Sequence, residues 1–298
     1  MKLARYSEAR LVGEITRDLP LGENVRVGAG DDCAVIGAPR ARRWLLLKAD
    51  AVVEGVHFLR GDDPRRVGWK ALCRAISDVA AMGGVPEQAL ITIAVSRDDE
   101  VARVKALYTV LRKAARKFGV SIVGGETSRS PGPLFINVAL TGSVERTRCI
   151  LRSGAKPGDA IFVTGKLGGS RAGKHLDFTP RLAEARWLVQ HFKPSAMMDL
   201  SDGLAADLPR LARASCCGVT LDESRIPLTS GCTVQQAVSD GEDFELLFTL
   251  APREAAGVGA KWRRTFPKLP LAEIGMISQL STFNSQLFPH GHDHFADA

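Results

Sequence analysis

Carboxylates at the ends of apolar segments are the residues of this sequence that can carry chemistry. Most of them stand beside glycines, where the backbone lets a ligand approach closely. Six stretches share this pattern, namely residues 28–35 (GAGDDCAV), Asp50, Asp78, residues 124–127 (GGET), residues 199–203 (DLSDG) and residues 241–244 (GEDF). Hard oxygen ligands in this number favour Mg²⁺, which proteins bind through a few carboxylates together with substrate phosphates.

Asp78 lies on the apolar face of a predicted helix, which it shares with alanines and a methionine at three- and four-residue spacing. A carboxylate on such a face must pair with a cation or bind one, because removing it unpaired from water costs much free energy. Arg74, four residues earlier, is the structural alternative to a bound ligand. Asp50 directly follows the run 45–49 and either faces a site or caps the next helix.

The DLSDG stretch follows a predicted strand and opens a predicted helix. Free backbone amides and the positive end of the helix dipole suit a phosphate there, and the two aspartates can hold a metal on it. The alternative is that Ser201 or Asp202 only caps the helix. A second loop, GGSRAGK at 168–174, fits the first seven positions of a P-loop. Because His175 stands where that motif needs Ser or Thr for Mg²⁺, no P-loop is predicted.

Zinc and thiol chemistry are not indicated. The six cysteines include no Cys-x-x-Cys pair, which favours reduced, mostly buried thiols in a cytoplasmic protein. The nearest approach to a zinc site is formed by His290, His292 and His294, which we interpret as part of a polar tail.

The hydrophobic spacing predicts the elements that must position the acids. Helices are predicted at 7–19, 64–82, 98–118, 181–192 and 203–215, and strands at 44–49, 90–95, 120–123, 134–141, 160–164, 196–199, 244–250 and 271–276. This mixture indicates an α+β (mixed α/β) protein. A length of 298 residues favours two domains, and the turn-rich stretch at 154–159 separates a domain at 1–148 from one at 149–298.

Composition restricts the class of protein. Hydrophobic residues make up 45% and charged residues 24%, the ordinary globular mixture; the longest apolar runs are far shorter than a membrane span, and the N-terminal stretch MKLARYSEAR contains no apolar signal core. The net charge is +7, but the basic residues occur singly or in pairs without interleaved aromatics. We therefore expect an arginine-rich solvated surface, with no membrane partner and no nucleic-acid partner.

Taken in order, these motifs make the chain resemble the thiamine-monophosphate kinases, a family in the superfamily of aminoimidazole ribonucleotide synthetase (PurM) and selenophosphate synthetase. The resemblance runs nearly end to end. It rests on GAGDDCAVI at 28–36, DAVVEGVHF at 50–58, WKALCRAISDVAAMGGVP at 69–86, GGETS at 124–128, LRSGAKPGDAIFVTGKLG at 151–168, DLSDGLAADL at 199–208, GEDFELLF at 241–248 and DHF at 293–295.

The resemblance implies a fold and an activity. The fold is the two-domain PurM-like architecture, each domain a mixed β-sheet flanked by helices. The N-terminal domain would dimerise and bind metal and ATP, and the C-terminal domain would complete the cleft. The activity is the Mg²⁺-dependent transfer of the γ-phosphoryl group of ATP to thiamine monophosphate, giving thiamine diphosphate, in a homodimer.

Carried over position by position, the resemblance also implies site residues. The magnesium ions would be held by Asp32, Asp50, Asp78, Glu126, Asp199 and Asp202. ATP would contact Gly125, Glu126, Arg152 and Ser201, and thiamine phosphate would face His57, Glu242 and Phe295. Asp50, Asp78 and Arg152 are expected to be catalytic. Because the nucleophile is a phosphate oxygen that is already ionised, charge neutralisation is needed and a general base is not.

Four features depart from the family pattern. Lys48-Ala49 replaces the usual Ser-Thr, Ala75 stands where Asn is common, Glu126 replaces Asp, and the stretch 226–240 is short. We hypothesise that the Lys48 ammonium replaces the charge of one metal ion. The alternatives that stay open are an ATP-dependent enzyme of the same superfamily with a different acceptor, and a nucleotide-binding relative without catalysis.

Overall fold

The computed structural model describes residues 8–279, which form two α/β units with one sheet each. The first sheet has the strand order β1-β2-β3-β6-β4-β5, and only its β4–β5 pair is parallel. Its strands are β1 (Val25–Val27), β2 (Ala34–Ile36), β3 (Arg43–Val53), β4 (Val85–Val95), β5 (Ser121–Arg129) and β6 (Phe135–Glu145). The helices of this unit are α1 (Glu8–Thr16), α2 (Pro64–Ala81) and α3 (Val101–Phe118).

The second sheet has the order β8-β10-β7-β11-β9, and its four strand pairs are antiparallel. Its strands are β7 (Ala160–Thr164), β8 (Ala196–Asp199), β9 (Gly218–Leu221), β10 (Leu246–Leu250) and β11 (Leu271–Ser278). The helices of this unit are α4 (Leu182–His191), α5 (Leu204–Ala214), α6 (Val234–Ser239) and α7 (Pro252–Thr265). The predicted α+β class of two sheets flanked by helices is confirmed. The boundary between residues 148 and 149 stays a prediction.

Helix α2 connects the two units. It begins at Pro64, where the missing amide is tolerated, and the Asp63 side chain accepts a hydrogen bond from the Arg65 amide. Most of its residues are buried, because it packs on β3, β6 and α3 of the first unit and on β8 and α4 of the second. Gly68 permits the close approach to α3, since a Cβ there would lie 2.4 Å from the Leu107 carbonyl oxygen.

Strand β3 alternates between the two faces of the first sheet. Leu46 and Val52 are buried against the helices, whereas Leu45 and Leu47 are 38% and 36% exposed on the opposite face. Because side chains alternate along a strand, the even-numbered Lys48 and Asp50 point toward α2. The strand therefore delivers two charged side chains to the boundary between the units.

Several predicted elements differ from those observed. Helix α3 begins at Val101, so the acidic residues 98–100 precede its first turn. Helix α5 begins at Leu204 and runs through Pro209, which therefore does not mark its start. Strand β5 extends to Arg129, so the GGET motif lies within a strand and not in a loop after one. The sequence patterns also missed β1, β9, α6 and α7.

Candidate active site

Three predicted carboxylates meet between the two units. One ligand oxygen each of Asp32, Asp78 and Asp199 lies within 4.8 Å of the others, and all three residues are buried. Asp32 precedes β2, Asp78 lies on α2, and Asp199 ends β8 in the second unit. We call these three residues the acidic cluster.

The acidic cluster has fewer cations than carboxylates. The Arg152 guanidinium donates to Asp32 Oδ1 at 2.5 Å, and Lys48 Nζ lies 2.8 Å from Asp78 Oδ1. Asp199 Oδ2 accepts from the Ser77 hydroxyl at 2.5 Å. Two further oxygens, Asp32 Oδ2 and Asp199 Oδ1, are buried and have no hydrogen-bond partner in the described part of the chain.

Burial raises the pKa of Asp78 well above its usual value, and Lys48 only partly opposes this effect. Burial and the nearby charge of Asp32 raise the pKa of Asp199 to about 7. Carboxylates whose ionised form is disfavoured in this way gain most from an added cation. With two partnerless oxygens among hard oxygen ligands, the cluster fits Mg²⁺.

A second group of charges lies farther along the same side of α2. Lys70 is fully buried, and its ammonium contacts Glu242 Oε1 at 2.7 Å, His175 Nδ1 at 2.5 Å and the His57 carbonyl oxygen at 2.5 Å. Arg74 Nη1 lies 3.7 Å from Glu242 Oε1. We call Lys70, Arg74, His175 and Glu242 the Glu242 cluster. Burial alone raises the pKa of Glu242, but His175, Lys70 and Arg74 together lower it to about 2.

Arg74 also extends toward the acidic cluster, because its Nε donates to Asp50 Oδ2 at 3.2 Å. The sequence alternative that paired Arg74 with Asp78 is therefore wrong, and Lys48 is the partner of Asp78. Asp50 lies near the acidic cluster but outside the group of three converging acids. His57 is half-buried in the loop after β3, and its Nδ1 accepts from the Val53 amide at 3.1 Å.

The structure does not bring Asp202 or Glu126 to the acidic cluster. Asp202 forms an ion pair with Arg210, and its amide donates to Asp207 Oδ2 at 2.9 Å. The sequence alternative that Asp202 or Ser201 caps α5 is also wrong, because Gly203 is the N-cap residue and no side chain caps the helix.

Glu126 and Gly125 lie exposed on β5, at the edge of the first sheet. Glu126 is in register with Thr92, so alternation puts its side chain on the face opposite the buried Ile91 and Ile93. Three strand spacings, about 14 Å, separate β5 from β3.

The remaining predicted residues have varied positions. Ser201 is half-buried beside the Glu242 segment, where its carbonyl oxygen accepts from the Glu242 amide at 2.6 Å. Phe295 and the three C-terminal histidines lie outside the described residues. Sequence reasoning missed Lys70, Ser77 and His175. The four-residue spacing of Lys70, Arg74 and Asp78 on one helix is the signal that could have pointed to Lys70.

The glycine loop at 168–174 is not a phosphate cradle. The Gly168 amide donates to Asp243 Oδ1 at 3.0 Å and the Gly169 amide donates to Asp240 Oδ2 at 3.1 Å. Lys174 Nζ is also committed to Asp243, at 2.9 Å. Two 3₁₀ turns, at 170–172 and 174–176, occupy the place where a P-loop would lead into an α-helix. This geometry agrees with the prediction that residues 168–174 do not form a P-loop.

Comparisons with known proteins identify the class to which this fold and site belong. Residues 30–144 match the N-terminal domain of AIR synthase related proteins, and residues 164–261 match the C-terminal domain. The AIR synthase related proteins are therefore the class of this chain.

Within this class, the similar proteins are thiamine-monophosphate kinases. That of Rhodopirellula baltica is 37% identical over 280 residues, covering 88% of this chain and 85% of the relative. That of Bacillus subtilis is 33% identical and covers 91% of each chain. A solved structure described as AaThiL complexed with AMPPCP and TMP is 32% identical, with a TM-score of 0.83 and 99% of each chain covered. The chain belongs to the thiamine-monophosphate kinase family.

Proposed function

We propose that the protein transfers the γ-phosphoryl group of ATP to thiamine monophosphate and so forms thiamine diphosphate. The single observation that carries this proposal is the buried acidic cluster with its two partnerless oxygens, in a chain of this family. One solved relative holds AMPPCP, an analogue of ATP, together with TMP. We infer that Mg²⁺ accompanies ATP and that the protein works in the cytoplasm. In the described residues, no helix is long and apolar enough to span a membrane.

The reaction joins two anions, so its barrier is set largely by their repulsion. Asp32, Asp78 and Asp199 would hold Mg²⁺, which neutralises phosphate charge when it is bound. Arg152 and Lys48 bring permanent positive charge to the same place. The acceptor phosphate is ionised at neutral pH, which explains why the mechanism requires no side chain to remove a proton.

The acceptor would lie toward the Glu242 cluster. The Glu242 carboxylate stays ionised there, because three neighbouring donors lower its pKa to about 2 despite its burial. An ionised carboxylate suits a cationic ring, and Lys70 and Arg74 supply positive charge for a phosphate. Contact of His57 and Phe295 with the acceptor, and of Gly125 and Ser201 with ATP, stays a prediction.

We also propose a homodimer formed through the outer face of the first sheet. Leu45, Leu47, Leu90 and Val123 are 36–60% exposed on this face. They lie around a cavity of about 540 Å³ whose lining includes Leu47, Leu90 and Val123. Glu126 lies on this face, about 14 Å along the sheet from β3. As a metal ligand it would therefore serve the acidic cluster of the partner.

Subunit complementation tests this arrangement. Asp199→Asn and Glu126→Gln, each inactive alone, are unfolded and refolded together in equal amounts. If Glu126 acts across the dimer, half the dimers are mixed and one of their two sites is intact, so about one quarter of the activity returns. No recovery, with mixed dimers present by native mass spectrometry, contradicts the assignment.

The assay of the function itself combines purified protein, ATP, MgCl₂ and thiamine monophosphate, with thiamine diphosphate measured by chromatography. We expect product from the wild type and from the control Asp98→Asn, whose side chain is 85% exposed, but none from Asp199→Asn. ATP binding without product from this acceptor would overturn the proposal. In that case, turnover of another phosphorylated acceptor would indicate a different superfamily activity, and no turnover a nucleotide-binding relative.

A further inference from the structure

Lys48 is the least expected member of the site. Its side chain extends from β3 toward α2 and is 23% exposed. Its Nζ lies 2.8 Å from Asp78 Oδ1. An amine in an ion pair with a carboxylate is an ammonium ion, because the neighbouring negative charge favours the charged form.

The balance of positive and negative charge in the acidic cluster depends on the Lys48 ammonium. When its three carboxylates are ionised, as they are when they bind a metal ion, the acidic cluster has the two cations Arg152 and Lys48 and keeps one negative charge. Without Lys48 two negative charges would remain, and Asp78 would have no cationic partner within 4.0 Å in the described part of the chain. Within the acidic cluster, the oxygens without a hydrogen-bond partner in the described residues are on Asp32 and Asp199, the two acids that Lys48 does not contact.

We propose that the Lys48 ammonium takes the place of one divalent ion in the acidic cluster. The nucleotide-free protein would therefore bind fewer Mg²⁺ ions, or bind them more weakly, than the same protein with a neutral residue at position 48. This inference rests on the proposed metal site. An ion held by Asp32 Oδ2 and Asp199 Oδ1 remains compatible with Lys48, whereas one held by Asp78 would compete with it.

The ammonium also has room for a second role. Asp78 is the one acceptor that the described residues provide for its three N–H groups, and the side chain is partly open. A phosphate oxygen is an acceptor that the remaining N–H groups can bind. Lys48 would then be a fixed cation that contacts the triphosphate, in a place where a metal ion would otherwise bridge Asp78 and the phosphate.

Isothermal titration with Mg²⁺, on protein stripped with EDTA and free of nucleotide, tests the inference. Lys48→Ser and Lys48→Met remove the charge, and Lys193→Ser, a change at an exposed lysine, is the matched control. We expect both Lys48 variants to bind one more ion than the wild type, or to bind Mg²⁺ at least about tenfold more tightly. Their melting temperature should also rise more on adding Mg²⁺ than that of the wild type.

A double variant distinguishes an effect of the Lys48 charge on Mg²⁺ binding from an effect of misfolding. Lys48→Met with Asp78→Asn removes both charges of the pair, so the cluster keeps one negative charge and should lose the gain in Mg²⁺ binding that the single Lys48 variants show. Unchanged ion number and affinity in the single variants would overturn the inference. So would equal gains in the single and double variants. The titration requires no turnover, so failure to phosphorylate thiamine monophosphate would contradict the proposed function and leave this result intact.

Discussion

The acidic cluster and the Glu242 cluster lie on the same side of α2 but have opposite electrostatic character. In the acidic cluster three buried carboxylates share two cations, and burial raises the pKa of Asp78 and Asp199. In the Glu242 cluster one carboxylate lies among two cations and an imidazole, and its pKa falls to about 2 despite burial.

This difference separates a site with more carboxylates than cations from one with more cations than carboxylates. In the protein without ligands, the acidic cluster lowers the free energy of unfolding, because its like charges are buried together with two oxygens that have no hydrogen-bond partner in the described residues. In the Glu242 cluster, Lys70 of the first unit and Glu242 of the second compensate each other's buried charge, so removing either one alone is costly. The proposed metal and nucleotide site is therefore the first cluster, whereas the second joins the two units beside the proposed acceptor site.

The largest expected effect comes from isosteric changes in the two clusters. Asp199→Asn should reduce kcat at least about 1000-fold, because a charge for the phosphates and their metal is lost. In EDTA at pH 8 the same change should raise the free energy of unfolding by at least about 1 kcal/mol, since it removes a buried charge whose pKa is about 7. Enzyme assays and urea unfolding measure the two effects.

Glu242→Gln is the counterpart in the other cluster, and it should destabilise the protein instead. It leaves the fully buried Lys70 without its carboxylate, at a cost of about 3 kcal/mol. If both amide substitutions changed the free energy of unfolding in the same direction, the contrast between the clusters would be wrong.

The next largest expected effect is the coupling between Lys70 and Glu242 in the free energy of unfolding. Lys70→Met should also destabilise the protein, but the double variant with Glu242→Gln should recover more than about 1 kcal/mol relative to the sum of the single changes. The reason is that a buried pair replaced by neutral groups leaves no charge uncompensated. A double-mutant cycle in urea measures the coupling, and additive free energies would mean that the two charges act independently.

Local sequence patterns selected the three acids of the acidic cluster, as part of a larger set of acids, but of the Glu242 cluster they selected Glu242 alone as a site residue. Asp32, Asp78 and Asp199 each stand at an element end or on an apolar face, where a charge is unusual whatever it contacts. The local sequence around Lys70 does not reveal its partners, because His175 and Glu242 are 105 and 172 residues away in the sequence. Only the packing of the two units shows that these three side chains meet.

Glu126 and Asp202 show which contacts local patterns do not reveal. A glycine pair usually ends a strand, but β5 runs through it because the parallel β4 continues alongside. A Cβ at Gly125 would lie 1.9 Å from the Ile91 carbonyl oxygen, so this glycine serves close strand packing. Asp202 stands in a promising motif, but Arg210, eight residues later, is its partner. Neither contact is visible in the motif itself.

A smaller effect is the pH dependence that Glu242 contributes. Its pKa is about 2 in the folded protein and 4.5 in the unfolded chain, so its stabilisation is complete above pH 4.5 and is lost as the pH falls toward 2. The difference in unfolding free energy between wild type and Glu242→Gln should narrow by about 1 kcal/mol between pH 6 and pH 3.5. Urea titrations at both values measure it, and a constant difference would contradict the assigned pKa.

The smallest expected effect belongs to a third contact between the units, at the start of α2. Arg66 forms an ion pair with Asp177 and donates to the Gly173 carbonyl oxygen at 2.9 Å, but the two charged side chains are 38% and 60% exposed. Water screens such a pair, so Arg66→Ala should lower the unfolding free energy by no more than about 1 kcal/mol and leave kcat unchanged. Urea unfolding beside Lys70→Met measures the difference. A loss equal to that of Lys70→Met would show that burial is not what makes the Glu242 cluster strong.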